Sequence, residues 1–242
     1  MPTPYQRVIL KISGESFTAA SQMGIDPAAL RLIAEEIAAA TAGTKVGLGV
    51  VVGGGNIIRG AALAQAGQID QSTADYMGML GTVINGVALK EALGHAGVDS
   101  RVMSAINLPA VAEPFIRARA LRHLDKGRVV ILVAGTGNPF FTTDTCASLR
   151  AVELGAQALL KATKVDGIYS ADPHKDPSAK RYESLSFSDA LSQKLGVMDL
   201  TALTMCMEHK LPVCVFDYAR SGNIARIIRG ERIGTLVTAD GR

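Results

Sequence analysis

The chain has 242 residues, 48% of them hydrophobic, enough to bury a full core and at the upper end of a single α/β domain. Its 25 basic and 22 acidic residues leave a formal charge of +3 without long runs, which excludes an extended nucleic-acid surface and a basic membrane-binding stripe but leaves room for a local anion site. No apolar stretch reaches the roughly 18 residues that span a bilayer, Met1-Pro2-Thr3-Pro4 lacks the basic and apolar regions of a signal peptide, and Cys146, Cys206 and Cys214 are too irregular for a disulfide framework, so a cytoplasmic protein with reduced thiols is expected.

The first apolar run, residues 8–12, predicts a strand buried on both faces, followed by the small turn Ser13-Gly14-Glu15-Ser16. Lys11 lies inside this run. Either a bound phosphate balances its ammonium group, or its stem packs while its head reaches water at the strand's end. Asp26-Pro27 predicts a helix start with proline at the first helical position, Leu30, Ile33 and Ile37 supply a three-four stripe, and Gly43 is the stop.

A second strand, residues 46–52, runs into Gly53-Gly54-Gly55-Asn56 and then Arg59. Three consecutive glycines lose backbone entropy on ordering, so the pattern points to a permissive geometry with a purpose: N–H groups at a helix start, with Arg59, holding a polyanion. The longest helical pattern starts near Ser72, carries Tyr76, Leu80, Val83 and Val87 on one face, and ends around residues 94–97; that face is expected to be core or subunit interface.

A short strand at residues 101–103 and a stronger one at 129–133 precede Gly135-Thr136-Gly137-Asn138-Pro139-Phe140-Phe141-Thr142-Thr143-Asp144. Hydroxyls and an amide around two aromatics suit a flat polar ring; alternatively the phenylalanines are core and Thr143 or Asp144 caps a helix beginning near Thr145. The strand at 158–160 leads into Lys161-Ala162-Thr163-Lys164-Val165-Asp166-Gly167, and residues 169–187 turn polar, predicting a long loop that covers or binds. Strands at 213–216 and 235–238 complete the alternation of strand and helix expected of a parallel sheet covered on both sides.

Loops at the carboxyl ends of parallel strands share one edge, where open α/β proteins bind ligands. The chain has no G-x-x-x-x-G-K-[ST], and its triple glycine does not fit G-x-G-x-x-G, so another phosphate-binding scheme is required. Asp144, Asp166 and Asp172 stand beside the glycine loops as candidates near magnesium or a nucleotide. Two phosphorylated ligands repel each other, which assigns charge compensation to Mg2+ with Lys11 and Arg59. A nucleoside monophosphate, with a second pKa of about 6, would need no general base. This agrees with the lack of a catalytic constellation around His95, His123, His174 or His209, and the spacing of Cys206, His209 and Cys214 matches no common zinc pattern.

Taken in order, Lys11-Ile12-Ser13-Gly14-Glu15, Gly53-Gly54-Gly55-Asn56 with Arg59, Asp75-Tyr76-Met77-Gly78, the 135–144 segment, and 161–167 through Ala171-Asp172-Pro173 resemble the bacterial uridylate kinases of the amino acid kinase family. The resemblance implies one domain over residues 1–242: a three-layer α/β/α sandwich around a mainly parallel sheet, with Mg2+ and ATP as donor and UMP as acceptor. It assigns Lys11, Ile12, Ser13, Gly14, Gly55, Arg59, Thr163, Tyr169 and Asp172 to ATP, and Gly54, Asp75 and residues 136–143 to UMP. Lys11 and Arg59 would stabilise the transferred group, and Asp144 would orient magnesium or Lys11.

The family also implies a homohexamer with GTP as activator, bound at Arg101 and Arg128, and UTP as inhibitor. Residues 16–22 vary, whereas Met23-Gly24-Ile25-Asp26 keeps the core of a stretch linked to activation. Two alternatives stand beside this reading: a kinase of the same fold acting on a carboxylate, and a nucleotide sensor without turnover.

Overall fold

A computed structural model describes residues 4–19, 22–65, 67, 69–171, 173, 175–176, 178–193, 195–196 and 198–241, except the side chain of Ala61. In chain order the elements are β1 (Arg7–Ile12), a 3-10 turn (Gly14–Phe17), α1 (Pro27–Thr41), β2 (Gly47–Val52), α2 (Gly60–Gln65), α3 (Gln71–His95), β3 (Ser100–Ser104), β4 (Glu113–Pro114) and α4 (Arg117–Asp125). They continue as β5 (Val129–Val133), α5 (Thr143–Glu153), β6 (Ala158–Thr163), β7 (Ser184–Ser186), α6 (Phe187–Ser192), α7 (Leu200–Glu208), β8 (Val213–Asp217), α8 (Asn223–Ile228) and β9 (Thr235–Thr238).

All nine strands join one sheet in the order β4-β3-β5-β2-β1-β6-β8-β9-β7. Alternate residues of β1 divide the interior. Val8, Leu10 and Ile12 face a core built with Ile33 and Ile37 of α1, Leu89 and Leu93 of α3, and Ile224 and Ile227 of α8. Ile9 faces a second core with Leu124 of α4, Ala147 and Ala151 of α5, Phe187 of α6 and Leu203 of α7. The result is the α/β/α sandwich, with strands buried on both faces because helices cover both.

The structure corrects two expectations and adds detail to two others. The sheet is mainly parallel, as expected, from β4 through β8; β9 runs antiparallel to β8 and β7 pairs with β9, so the far edge reverses. The polar stretch at 169–187 is not loop throughout: Tyr169 bridges Arg181, and β7 ends it, its few apolar residues hiding a strand too short for periodicity to reveal. On α3, of the stripe expected to be core or subunit interface, Val83 is buried while Tyr76, Leu80 and Val87 are exposed; the core side carries Ala74, Met79, Leu89 and Leu93. Finally, α5 begins at Thr143 with Thr142 as its cap, earlier than the spacing suggested.

The start of α1 is as expected: the Asp26 carboxylate accepts from Ala28 N at 3.3 Å and Ala29 N at 3.2 Å, satisfying N–H groups that lack helical partners. The cysteines are buried, and burial pushes their thiols up to about 11 at Cys146 and Cys206 and about 12 at Cys214, so they pack as inert core groups. Among the described residues no helix is long and apolar enough to cross a membrane.

Candidate active site

Strand register assembles the site. Ile12 pairs with Val52 on one side and Ala162 on the other, so Ser13, Gly53 and Thr163 leave three adjacent parallel strands at one level of the sheet edge. β5 delivers the 135–142 loop to the same edge, two strands from β1. This is the edge at which open α/β sheets bind ligands.

The triple glycine has a cause other than the expected one. None of Gly53, Gly54 and Gly55 adopts a positive φ. A Cβ at Gly53 would instead lie 2.6 Å from Gly14 N, and one at Gly54 would lie 2.7 Å from Gly78 O and 2.9 Å from Thr82 N. These two glycines let the loop press against the turn after β1 and against α3, while a Cβ at Gly55 would meet nothing within 4 Å. Gly55 is the position of the three at which a ligand can approach bare backbone.

Beside the loop lies a cavity of about 760 Å³. Gly54, Gly55 and Arg59 line it from the glycine loop, Asp75 from α3, and Thr136, Asn138, Phe140, Phe141, Thr142 and Thr143 from the loop after β5. Phe140 is 74% exposed and Phe141 49%, which removes the core reading of both rings. Asp75 holds this wall in place: its Oδ2 accepts from Phe140 N at 2.8 Å and its Oδ1 from Gln71 Nε2 at 2.8 Å. Phe140 has φ 69°, a left-handed conformation that costs a non-glycine residue energy and persists where contacts impose it. Each oxygen of Asp75 retains acceptor capacity for a hydroxyl. Gly137, at φ 82°, and Pro139 shape the loop without lining the cavity.

Lys11 does not reach water; the residue is 6% exposed. Nor does it wait on a phosphate for its counter-charge: its Nζ lies 2.9 Å from Asp144 Oδ1 and donates to Ser13 Oγ at 3.0 Å. Lys161 of the neighbouring strand donates to the other oxygen, Asp144 Oδ2, at 2.7 Å. Burial alone would raise the Asp144 carboxyl, but the two ammonium charges outweigh it and hold it below its ordinary value. Burial pushes Lys161 down, and Asp144 only partly offsets that. One carboxylate at the start of α5 thus serves two lysines beside the turn after β1, with Asp199 also acting on Lys161.

Arg59 is at the surface, with Nη2 3.2 Å from Glu15 Oε1, so it can swing between that carboxylate and an anion. Thr163 stands at the end of β6, its hydroxyl donating to Val165 O at 2.7 Å. Tyr169 belongs to a separate polar cluster, its phenol donating to Asp166 Oδ1 at 2.6 Å, which raises the phenol's pKa. Neither lines the cavity. Asp172 and His174 lie outside the described residues. Arg101 and Arg128 sit at the opposite, amino-terminal ends of β3 and β5, where both pair with Asp99 and Arg128 also meets His123 Nδ1 at 3.1 Å.

Asp199 escaped sequence reasoning. It caps α7 by accepting from Ala202 N at 2.9 Å, and it also accepts from Thr142 Oγ1 at 2.5 Å and Thr145 Oγ1 at 3.0 Å. It thereby anchors the end of the aromatic loop. An aspartate ahead of an apolar helical stretch signalled the cap, but nothing local signalled the two threonines.

A sequence profile of the amino acid kinase family matches residues 6–217. The chain belongs to the amino acid kinase family. Within it, the similarity is to the UMP kinases. A UMP kinase from Bacillus anthracis is 40% identical, with 98% of this chain and 97% of that one covered and a TM-score of 0.94. A UMP kinase from Ureaplasma parvum is 37% identical over 98% of this chain and 100% of that one, TM-score 0.89. A uridylate kinase from Archaeoglobus fulgidus is 28% identical over 96% of this chain and 99% of that one, TM-score 0.72. In this amino acid kinase the cavity beside the glycine loop and the lysine pair on Asp144 open from the same sheet edge.

Proposed function

We propose that the protein is a cytoplasmic UMP kinase that transfers the γ-phosphoryl group of ATP to UMP, giving UDP and ADP. The observation that carries this reading is the Asp75 clamp: a carboxylate suited to a ribose diol and a pair of exposed aromatic rings share one cavity with Gly54 and Gly55. UMP occupies this cavity, its ribose on Asp75 and its base framed by Thr136, Asn138 and the phenylalanines. ATP lies across the adjoining turn, over Ile12, Ser13, Gly14, Gly55 and Thr163, and the family resemblance adds Tyr169 and Asp172 to its contacts.

The acceptor's phosphate has a second pKa of about 6, so one of its oxygens is already a nucleophile at neutral pH. That oxygen forms a bond to the γ-phosphorus as the bond to the β-bridging oxygen breaks, and the electron pair leaves with ADP. Lys11 and Arg59 meet the charge on the transferring oxygens, and no proton needs to be moved. Magnesium would arrive on the nucleotide, with phosphate and water ligands. There the ion would neutralise phosphate charge, and Asp144 would orient it or act through Lys11, which it already holds.

The exposed apolar stripe of α3, Tyr76, Leu80, Ile84 and Val87, supports assembly into a homohexamer. Arg101 and Arg128, converging on Asp99, support a polyanion site for GTP as activator; UTP acts as inhibitor. ADP formation should be measured with UMP, CMP, aspartate, glutamate and acetylglutamate as separate acceptors, with and without GTP. The expected result is turnover selective for UMP. Turnover with a carboxylate alone, or tight UMP binding without turnover, would overturn it. Asp75→Asn should raise the KM for UMP by about tenfold, the scale of one charge-assisted hydrogen bond, while the KM for ATP stays within a factor of about two.

A further inference from the structure

We infer that Asn85, at the buried centre of α3, positions the two substrate-binding loops against each other through a reciprocal amide pair with Asn56. Asn85 is fully buried and Asn56 is 1% exposed. Asn85 Nδ2 donates to Asn56 Oδ1 at 2.6 Å and to Gly53 O at 2.7 Å. Asn56 Nδ2 donates to Asn85 Oδ1 at 3.0 Å and to Gly24 O at 2.8 Å. Every amide proton of the pair is used. Turning either amide over would set oxygen against oxygen inside the core, so the arrangement has one low-energy state.

What the pair touches gives it a role beyond packing. Gly53 and Asn56 are the two ends of the glycine loop, and Asn85 grips both. Asn56 also holds the 22–26 segment by two bonds, since Gly24 N donates to Asn56 O at 2.7 Å in addition to the side-chain contact. The turn after β1 closes against the same point: a Cβ at Gly14 would lie 2.5 Å from Gly55 N and 2.7 Å from Asn56 Oδ1. A shift of Asn56 by a few tenths of an ångström therefore moves Gly54 and Gly55 together and opens or crowds the contact with Gly14. Because Asn85 is anchored in a 25-residue helix, it is the fixed partner and the loop is the part that is set. The inference rests on the assignment of Gly54 to UMP and Gly55 to ATP.

Asn85→Asp tests it, since the side chain keeps its shape, loses both N–H donors and faces Gly53 O with a carboxylate. Well below the melting temperature, the KM for UMP and the KM for ATP should rise together by about tenfold, the scale of a buried donor lost. Lowering the pH should recover part of that loss, because protonating a buried carboxylate restores one donor towards Gly53 O, and the parent chain should show no such recovery. If this variant does not fold, Asn85→Ala is read for the same joint rise without the pH recovery. In a double-mutant cycle, Asn56→Ala added to Asn85→Ala should cost far less than the two single effects combined. Folded Asn85 variants with parental KM values for both substrates, changed only in melting temperature, overturn the inference. Asp75→Asn measured in parallel separates the two ideas: an unaltered UMP dependence there removes the pocket assignment, whereas the joint response of the Asn85 variants decides the positioning role.

Discussion

Lys11→Ala is expected to lower kcat by about 10²–10³-fold while the KM for UMP stays near its parental value, because under the proposed function its cation acts on charge that develops in the transition state. The geometry makes the expectation specific. Lys11 is the penultimate residue of a strand whose neighbours deliver the glycine loop and Thr163 to the same edge, and its ammonium is fixed by Asp144 at 2.9 Å and Ser13 at 3.0 Å. A side chain held on two sides pays little reorganisation when the phosphoryl group arrives. Initial rates over a range of UMP at saturating ATP read the split between kcat and KM. Unchanged turnover would remove Lys11 from the mechanism, and a rise in KM alone would make it a binding residue.

The second large effect is on stability. Asp144→Asn leaves Lys11 and Lys161 as two buried ammonium groups without the carboxylate between them, and breaking a buried ion network in this way costs about 3 kcal/mol. The effect carries a pH signature whose sign follows from the lowered Asp144 pKa. A carboxyl held lower in the folded chain than its ordinary 3.8 contributes stability that is complete well above that pH and is lost as the pH falls through the folded value. Denaturant melts of parent and variant should therefore differ by a constant amount from neutral pH down to about pH 5, and the gap should narrow only below 3.8. A gap that narrowed between pH 5 and 7 would mean that another group carries the effect. Lys161, pushed down by burial, acts at the other end: its cost to the fold is present at neutral pH and relieved as the pH rises towards its ordinary 10.5.

Much of this site was legible before any fold was known. Residues 8–12, 46–52 and 129–133 are long enough and apolar enough to be strands buried on both faces, and the loops after them could be placed on one edge by the rule for parallel sheets. Residue chemistry and family resemblance single out Asp75 and the 136–143 segment, and all of these but Gly137 and Pro139 line one cavity. What the sequence leaves open has a common origin. The α3 stripe of Tyr76, Leu80 and Val87 has the spacing of a core or interface face, and spacing does not say whether the apolar side meets the sheet or points outward. The three glycines were read as conformational freedom, whereas at Gly53 and Gly54 the cause is the nearness of Gly14 and α3, segments about 40 and 25 residues away in sequence.

The sequence by itself determined the main buried strands, which loops carry phosphate-compatible chemistry, and where α1 begins, because these depend on periodicity, side-chain type and capping within a few neighbouring residues. Only the tertiary structure decided that one Asp144 would serve both Lys11 and Lys161, that Asp199 would anchor Thr142 and Thr145, and that Asn85 would grip both ends of the glycine loop. Those partners lie far apart along the chain. A buried polar group must find a hydrogen-bond partner or a counter-charge, but which one it finds is set by strand order and register, and these belong to the whole sheet.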